Sequence, residues 1–321
     1  MNVRPFDWRD LPTLHRYRRQ GLFLDSALVF TRRPSLVPIR ALLTYFAPAT
    51  GIFIYLAENE EHSSVPLVGQ VSHTLAAVSA RMSFLAPEEA LETAGVSAIL
   101  ERMSAEVGER GGQHILAEVY EHHDAFEILR HLGFAIYARQ HFWQLNIAPP
   151  IAAVDTSWRA CTERDALPIR SLYNNLVPGL VQQVEPLPSN RLRGLVYPHG
   201  SELLGYIELK YGPRGILAQP FIHPNAEGLA AGLVSVLENL PDRRSRPVYL
   251  CVRSYQSWLE SVLYDADVQP SPRQAVMVKR LVVARRAEQP MAIPTLEGSR
   301  AEPTAPIAQI TDHPSKGTPR T

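Results

Sequence analysis

The chain of 321 residues has only two cysteines, Cys161 and Cys251, and neither has the neighbours that a zinc site or a redox pair requires. No metal site is expected. It also has no surplus charge of either sign: Lys+Arg and Asp+Glu both total 32, and the pI is about 7.2. A groove that grips nucleic-acid phosphates needs a clear basic excess, so no nucleic-acid partner is expected. No apolar run approaches the ~20 residues of a membrane helix, so no membrane partner is expected either. The opening Met1-Asn2-Val3-Arg4-Pro5-Phe6-Asp7 has no leader pattern, and the expectation is a soluble, cytoplasmic protein. What the chain does have is 45% hydrophobic and 20% charged residues, the balance of a globular protein with ample core. Its length suits two domains better than one.

The neutral total hides a local pattern. Residues 1–148 hold 13 bases and 16 acids, net −3, whereas residues 149–285 hold 15 and 12, net +3. The arginines gather at the start (Arg4, Arg9, Arg16, Arg18, Arg19, Arg32, Arg33, Arg40), without the interleaved aromatics of a nucleic-acid surface. Two consecutive prolines, Pro149 and Pro150, cannot continue a helix or a central strand, and mark a linker over 149–157. From residue 286 onward there are six prolines and no hydrophobic periodicity, which predicts a disordered tail over 286–321.

The two remaining stretches, 1–148 and 158–285, resemble each other. Arg4 is followed by Arg9-Asp10, and Arg159 by Arg164-Asp165, each ahead of an apolar helix. Asp10 and Asp165 are expected as helix N-caps. Val96, Ile99, Leu100, Met103 and Val107 recur at helical spacing, as do Leu229, Leu233, Val236, Leu237 and Leu240. Gly111-Gly112 ends the first of these helices. A strand follows in each half (115–119 and 248–252), then a short helix around Phe126 and Leu129 or around Leu259 and Leu263. Each half closes with a strand opened by Arg-Gln: Arg139-Gln140 and Arg273-Gln274.

Each half thus reads as helix, antiparallel strands, long helix, strand, short helix, final strand. This order, with Leu132-Gly133-Phe134 after a short helix, resembles the GNAT superfamily of N-acetyltransferases, and two copies resemble its tandem members, such as the mycothiol synthase type. The resemblance implies an α+β fold of two tandem domains, each a mixed, mostly antiparallel sheet flanked by helices. It implies acetyl-CoA as co-substrate, its pyrophosphate held on backbone N–H groups at the start of the long helix. In the first half the matching stretch is Ala90-Leu91-Glu92-Thr93-Ala94-Gly95, and Glu88, Glu89 and Glu92 put negative charge where phosphates would lie. That copy is expected to have lost its cofactor. In the second half it is Glu227-Gly228-Leu229-Ala230-Ala231-Gly232, small enough for close backbone approach. The implied cofactor set is therefore Ile222 at the strand end with Gly228, Leu229, Ala230, Ala231 and Gly232.

The usual catalytic groups of the superfamily are missing. Leu129 and Val262 occupy the place of its tyrosine acid, and residues 78–85 and 216–222 contain no glutamate base. Tyr264, just past the second short helix, and Glu208, on a strand that could line the cleft, are the substitutes. Tyr206, Glu208 and Lys210 share one strand face, for which solvent exposure is the simpler account. His122, His123 and Asp124 are adjacent and point apart, as a polar helix start rather than a metal cluster. Phe142, Trp143 and Trp258 are expected in a core or between domains. The implied activity is acyl transfer from acetyl-CoA to an unidentified small-molecule amine by the second half. The alternative is a catalytically silent acyl-CoA-binding sensor or a scaffold for a protein partner. Substrate-selecting lids are expected over 21–49 and 176–193.

Overall fold

The apolar stripe from Val96 to Val107 forms the longest helix of the chain's described residues, Ala94–Glu109, with all five stripe residues buried. Gly111 ends it at φ +83°, a conformation that costs glycine nothing. The structure, a computed structural model, describes residues 2–17, 19–32, 51–58, 66–91, 94–145, 157–188, 192–200, 202–226, 232–240 and 242–281. The linker over 149–157, apart from Ser157, and the tail over 286–321 lie outside them. In the second half the helix is short, Leu233–Glu238; Leu229 is outside the described residues and Leu240 is buried past the helix end.

Among the described residues, thirteen strands build one sheet. The first half supplies β1 (Asn2–Pro5), β2 (Leu22–Phe23), β3 (Ile52–Glu58), β4 (Leu67–Ser72), β5 (Ser79–Ala86), β6 (His114–Tyr120) and β7 (Ala135–Leu145). The second supplies β8 (Arg159–Ala160), β9 (Gly194–His199), β10 (Glu202–Tyr211), β11 (Ile216–Ile222), β12 (Val248–Arg253) and β13 (Gln274–Arg280). Their order is β1-β3-β4-β5-β6-β13-β7-β12-β11-β10-β9-β8, with β2 paired to β5. All neighbours are antiparallel except β5 with β6 and β11 with β12.

The last strands of the two halves are exchanged: β13 pairs with β6, and β7 pairs with β12. Between β13 and β7 the repeated Gln140 and Gln274 stand directly opposite each other, bonded at 3.0 Å. The repeated Arg139 and Arg273 both bind Glu121, each at 2.6 Å. The Arg-Gln pairs thus mark the centre of the repeat. β13 is covered on both faces, Ala275 and Met277 on one and Val276 and Val278 on the other, which is why it reads as unbroken apolar sequence.

Helices Ala94–Glu109, Ala125–His131, Leu233–Glu238 and Leu259–Asp265 cover one face of the sheet, and Leu11–Tyr17, Ala166–Leu176 and Gly179–Val184 the other. Asp165 does hold the N-cap position of helix Ala166–Leu176, but the side-chain cap bonds expected of Asp10 and Asp165 are corrected. Each is the third residue of a 3-10 turn and reaches backward, Asp10 to the Asp7 N–H and Asp165 to the Thr162 N–H, both at 2.8 Å. The repeated arginines hold them there in two-pronged pairs, Arg4 on Asp10 at 2.6 and 2.8 Å and Arg159 on Asp165 at 2.8 and 2.7 Å. A charged two-pronged contact outweighs a single cap bond.

Candidate functional site

A parallel strand pair that parts leaves backbone groups facing a gap, and this sheet has two such places. β5 and β6 pair only from Ser79↔His114 to Arg81↔Leu116, and β11 and β12 only from Ile216↔Val248 to Ala218↔Leu250. The first gap is filled by the chain itself. Leu22 and Phe23 pair with Leu85 and Phe84, the Leu24 N–H donates to the Ser83 carbonyl at 3.2 Å, and the Glu118 N–H donates to the Leu24 carbonyl at 2.9 Å. Leu24 is buried in the core between the two strands.

The second gap borders a cavity of about 610 Å³. Gln219 and Phe221 reach it from β11, and Arg253 and Tyr255 from the end of β12, all beyond the last paired residues. Glu208 and Lys210 of β10 complete that wall, with Lys210 Nζ 3.5 Å from Glu208 Oε2. Across the cavity lie Tyr173 and the segment from Val184 to Pro188, and the first half contributes Arg81 and Leu116. Of the solvent-exposed face expected of Tyr206, Glu208 and Lys210, Lys210 is exposed, Glu208 is half-buried, and Tyr206 is corrected. Tyr206 is buried against Phe221 and donates to the Arg193 carbonyl at 3.2 Å, because helix Ala166–Leu176 covers this face.

Matching the halves by the faces their strands present, Ala80 with Ile216 and Ile115 with Val248, sets Gln70 in the place of Glu208 and Ser72 in that of Lys210. The filled copy therefore carries an uncharged pair where the open copy carries a charged one.

Glu185 organises the cavity's charges. Its carboxylate takes Arg81 at 2.8 Å, Arg253 at 2.9 Å and the Tyr137 hydroxyl, while its backbone carbonyl accepts from the Tyr173 hydroxyl at 2.6 Å. Arg81 also binds Glu118 at 3.0 Å. Burial alone would raise the Glu185 carboxyl, but the charges of Arg253 and Arg81 overcome it and hold it near about 2. Burial pushes the Tyr137 and Tyr255 hydroxyls upward and the Cys251 thiol up to about 12. Cys251 is thus a core thiol, donating to Gln140 Oε1 at 3.3 Å.

No family model matches the sequence, and no curated protein matches it by sequence. Solved structures do match. One is a GCN5-related N-acetyltransferase from Sphaerobacter thermophilus, at 12% identity and TM-score 0.53, covering 87% of this chain and 95% of that one. Another is a tandem GNAT protein from the clavulanic acid biosynthesis pathway, at 15% identity and TM-score 0.51, covering 87% of this chain and 98% of its own. The chain has the tandem GNAT fold.

Within the GNAT fold the residues expected from sequence fall in different places. Glu208 lines the cavity; Tyr264 is not among its lining residues, being half-exposed with its ring edge-on to Trp143 at 4.9 Å. Ile222 is buried at the end of β11, its carbonyl accepting from Gln256 Nε2 at 3.0 Å. Gly228, Leu229, Ala230 and Ala231 lie outside the described residues, and Gly232 directly precedes helix Leu233–Glu238. His123 Nδ1 accepts from the Ala125 N–H at 3.1 Å and its Nε2 meets Glu88 at 2.8 Å, and no metal-binding group of side chains occurs among the described residues. Phe142 packs on Phe30, Trp143 is fully buried, and Trp258 flanks the second half's core.

Sequence reasoning missed Glu185, Arg253 and Tyr255. Faint signals existed: Glu185 is the lone acid in an apolar, proline-rich stretch, and Arg253 is a charge closing an otherwise apolar strand.

Proposed function

We propose that the protein is an acyl-CoA-dependent N-acyltransferase whose acyl-CoA is taken by its second half. The observation that carries this reading is the contrast between the two gaps: the first is bridged by Leu22, Phe23 and Leu24, and the second borders a cavity with ionisable walls. Bound acetyl-CoA would supply an acyl group activated as a thioester. The backbone of 228–232, with Ile222 at the strand end, is the stretch proposed to receive its pyrophosphate. Glu208 is proposed to take the proton of the attacking amine. Glu185 is unsuited to that task, since a carboxylate held near about 2 is a poor proton acceptor at neutral pH. The Tyr255 hydroxyl, on the cavity wall, takes the role that sequence offered to Tyr264.

A specific contact favours the alternative of a silent acyl-CoA sensor: Glu208, the proposed base, is ion-paired with Lys210 at 3.5 Å, and a carboxylate stabilised in this way is a weaker proton acceptor. Calorimetric titration with acetyl-CoA, followed by a thiol-release assay over a panel of amines, separates the readings. Micromolar binding that Gly232→Glu abolishes, with turnover that Glu208→Gln lowers by roughly 100-fold while binding persists, supports the enzyme. Binding without thiol release supports the sensor. Absence of heat at millimolar acetyl-CoA sinks both.

A further inference from the structure

Arg253 is only 5% exposed, yet most of its hydrogen-bonding capacity is unused within the protein. One nitrogen, Nη2, binds Glu185 at 2.9 Å; Nε and Nη1 are buried and have no partner. Buried guanidinium N–H groups left unpaired are costly, so a cavity-lining arginine with this spare donor capacity points to a ligand that brings acceptor oxygens, which a small turn of the guanidinium would meet. We infer that the acceptor molecule of this cavity carries a carboxylate, received by Arg253, beside the amine that Glu208 faces.

The charge balance favours the same ligand class. The cations Arg81, Lys210 and Arg253 are matched by Glu118, Glu185 and Glu208 in contacts of 2.8 to 3.5 Å. Asp25, whose carboxyl interacts with Arg81 and Glu118, is pushed upward by burial, toward its uncharged form. A simple cationic amine entering such a balanced cavity would bury an uncompensated charge, whereas an amino acid or short peptide brings both signs and adds none. A volume of about 610 Å³ accommodates more than a small amino acid, and Val181, Leu187 and Phe221 offer an apolar wall for a bulky side chain.

The inference rests on reading this cavity as the acceptor site, but its test uses no acyl-CoA, so the two can fail separately. L-phenylalanine and glycyl-L-phenylalanine are each titrated into the full chain against their C-terminal amides. The acids are expected to bind about tenfold more tightly than the amides. Arg253→Lys, which keeps the charge beside Glu185 but loses the planar donor set, is expected to remove most of that preference. Its melting temperature reports whether it folds, and if it does not, the acid-to-amide ratio of the unaltered protein decides alone. Equal affinity for acid and amide, no binding of either acid at tens of millimolar, or a preference that survives in a folded Arg253→Lys overturns the inference.

Discussion

Glu185 sits between two arginines from opposite halves of the chain, Arg81 on β5 and Arg253 on β12. Its carboxyl is held near about 2 against an ordinary value of 4.5. A depressed carboxyl contributes stability that is complete above its ordinary value and is lost as pH falls through the folded one. A difference of that size corresponds to about 3 kcal/mol. Urea unfolding of Glu185→Gln and the unaltered chain is therefore expected to show a gap of about 3 kcal/mol at pH 7 that closes between pH 5 and pH 2. A gap unchanged down to pH 2 would show that the carboxylate does not hold the two arginines. Glu208 was legible in the sequence as a charge on an alternating strand. Glu185 was not, because its partners lie 104 and 68 residues away and no local pattern announces them.

At the level of elements, the gap between β5 and β6 is closed by a short piece of chain. Leu24 bridges the two strands with its backbone and fills the space between them with its side chain. Leu24→Ala leaves the backbone bridge and opens a void, for a loss of about 2–5 kcal/mol measured by urea midpoint. If the second half takes acetyl-CoA as proposed, the stoichiometry in calorimetry is expected to stay at one per chain, because Glu88 and Glu89 keep negative charge beside the stretch matched to the pyrophosphate loop. A second binding event in this variant would mean that Leu24 alone had blocked the first half. Helix Ala94–Glu109 and strand β13 were readable from their periods, 3.6 and unbroken apolar. The closure by residues 22–24 was not, since three ordinary residues take their meaning only from strands more than fifty positions further on.

For the whole molecule the decisive feature is the exchange of β7 and β13. Separately expressed 1–148 and 149–285 each lack the strand that flanks their own β6 or β12, and leave an apolar final strand without its neighbours. Each piece is expected to aggregate alone and to form a folded, equimolar complex when co-expressed, read by size exclusion and circular dichroism. Two stable, monomeric fragments would mean that the final strands can return to their own halves. What the sequence determined by itself is whatever depends on near neighbours. The stripe of Ala94–Glu109, the turn at Gly111 and the twofold repetition all follow from periods and short spacings. Only the tertiary structure decided which strand lies beside which, that one gap is closed and the other open, and that Glu185 and Arg253 meet at a cavity. Hydrophobic burial has no direction: an apolar pattern says which face of a strand turns inward and leaves open which partner covers it.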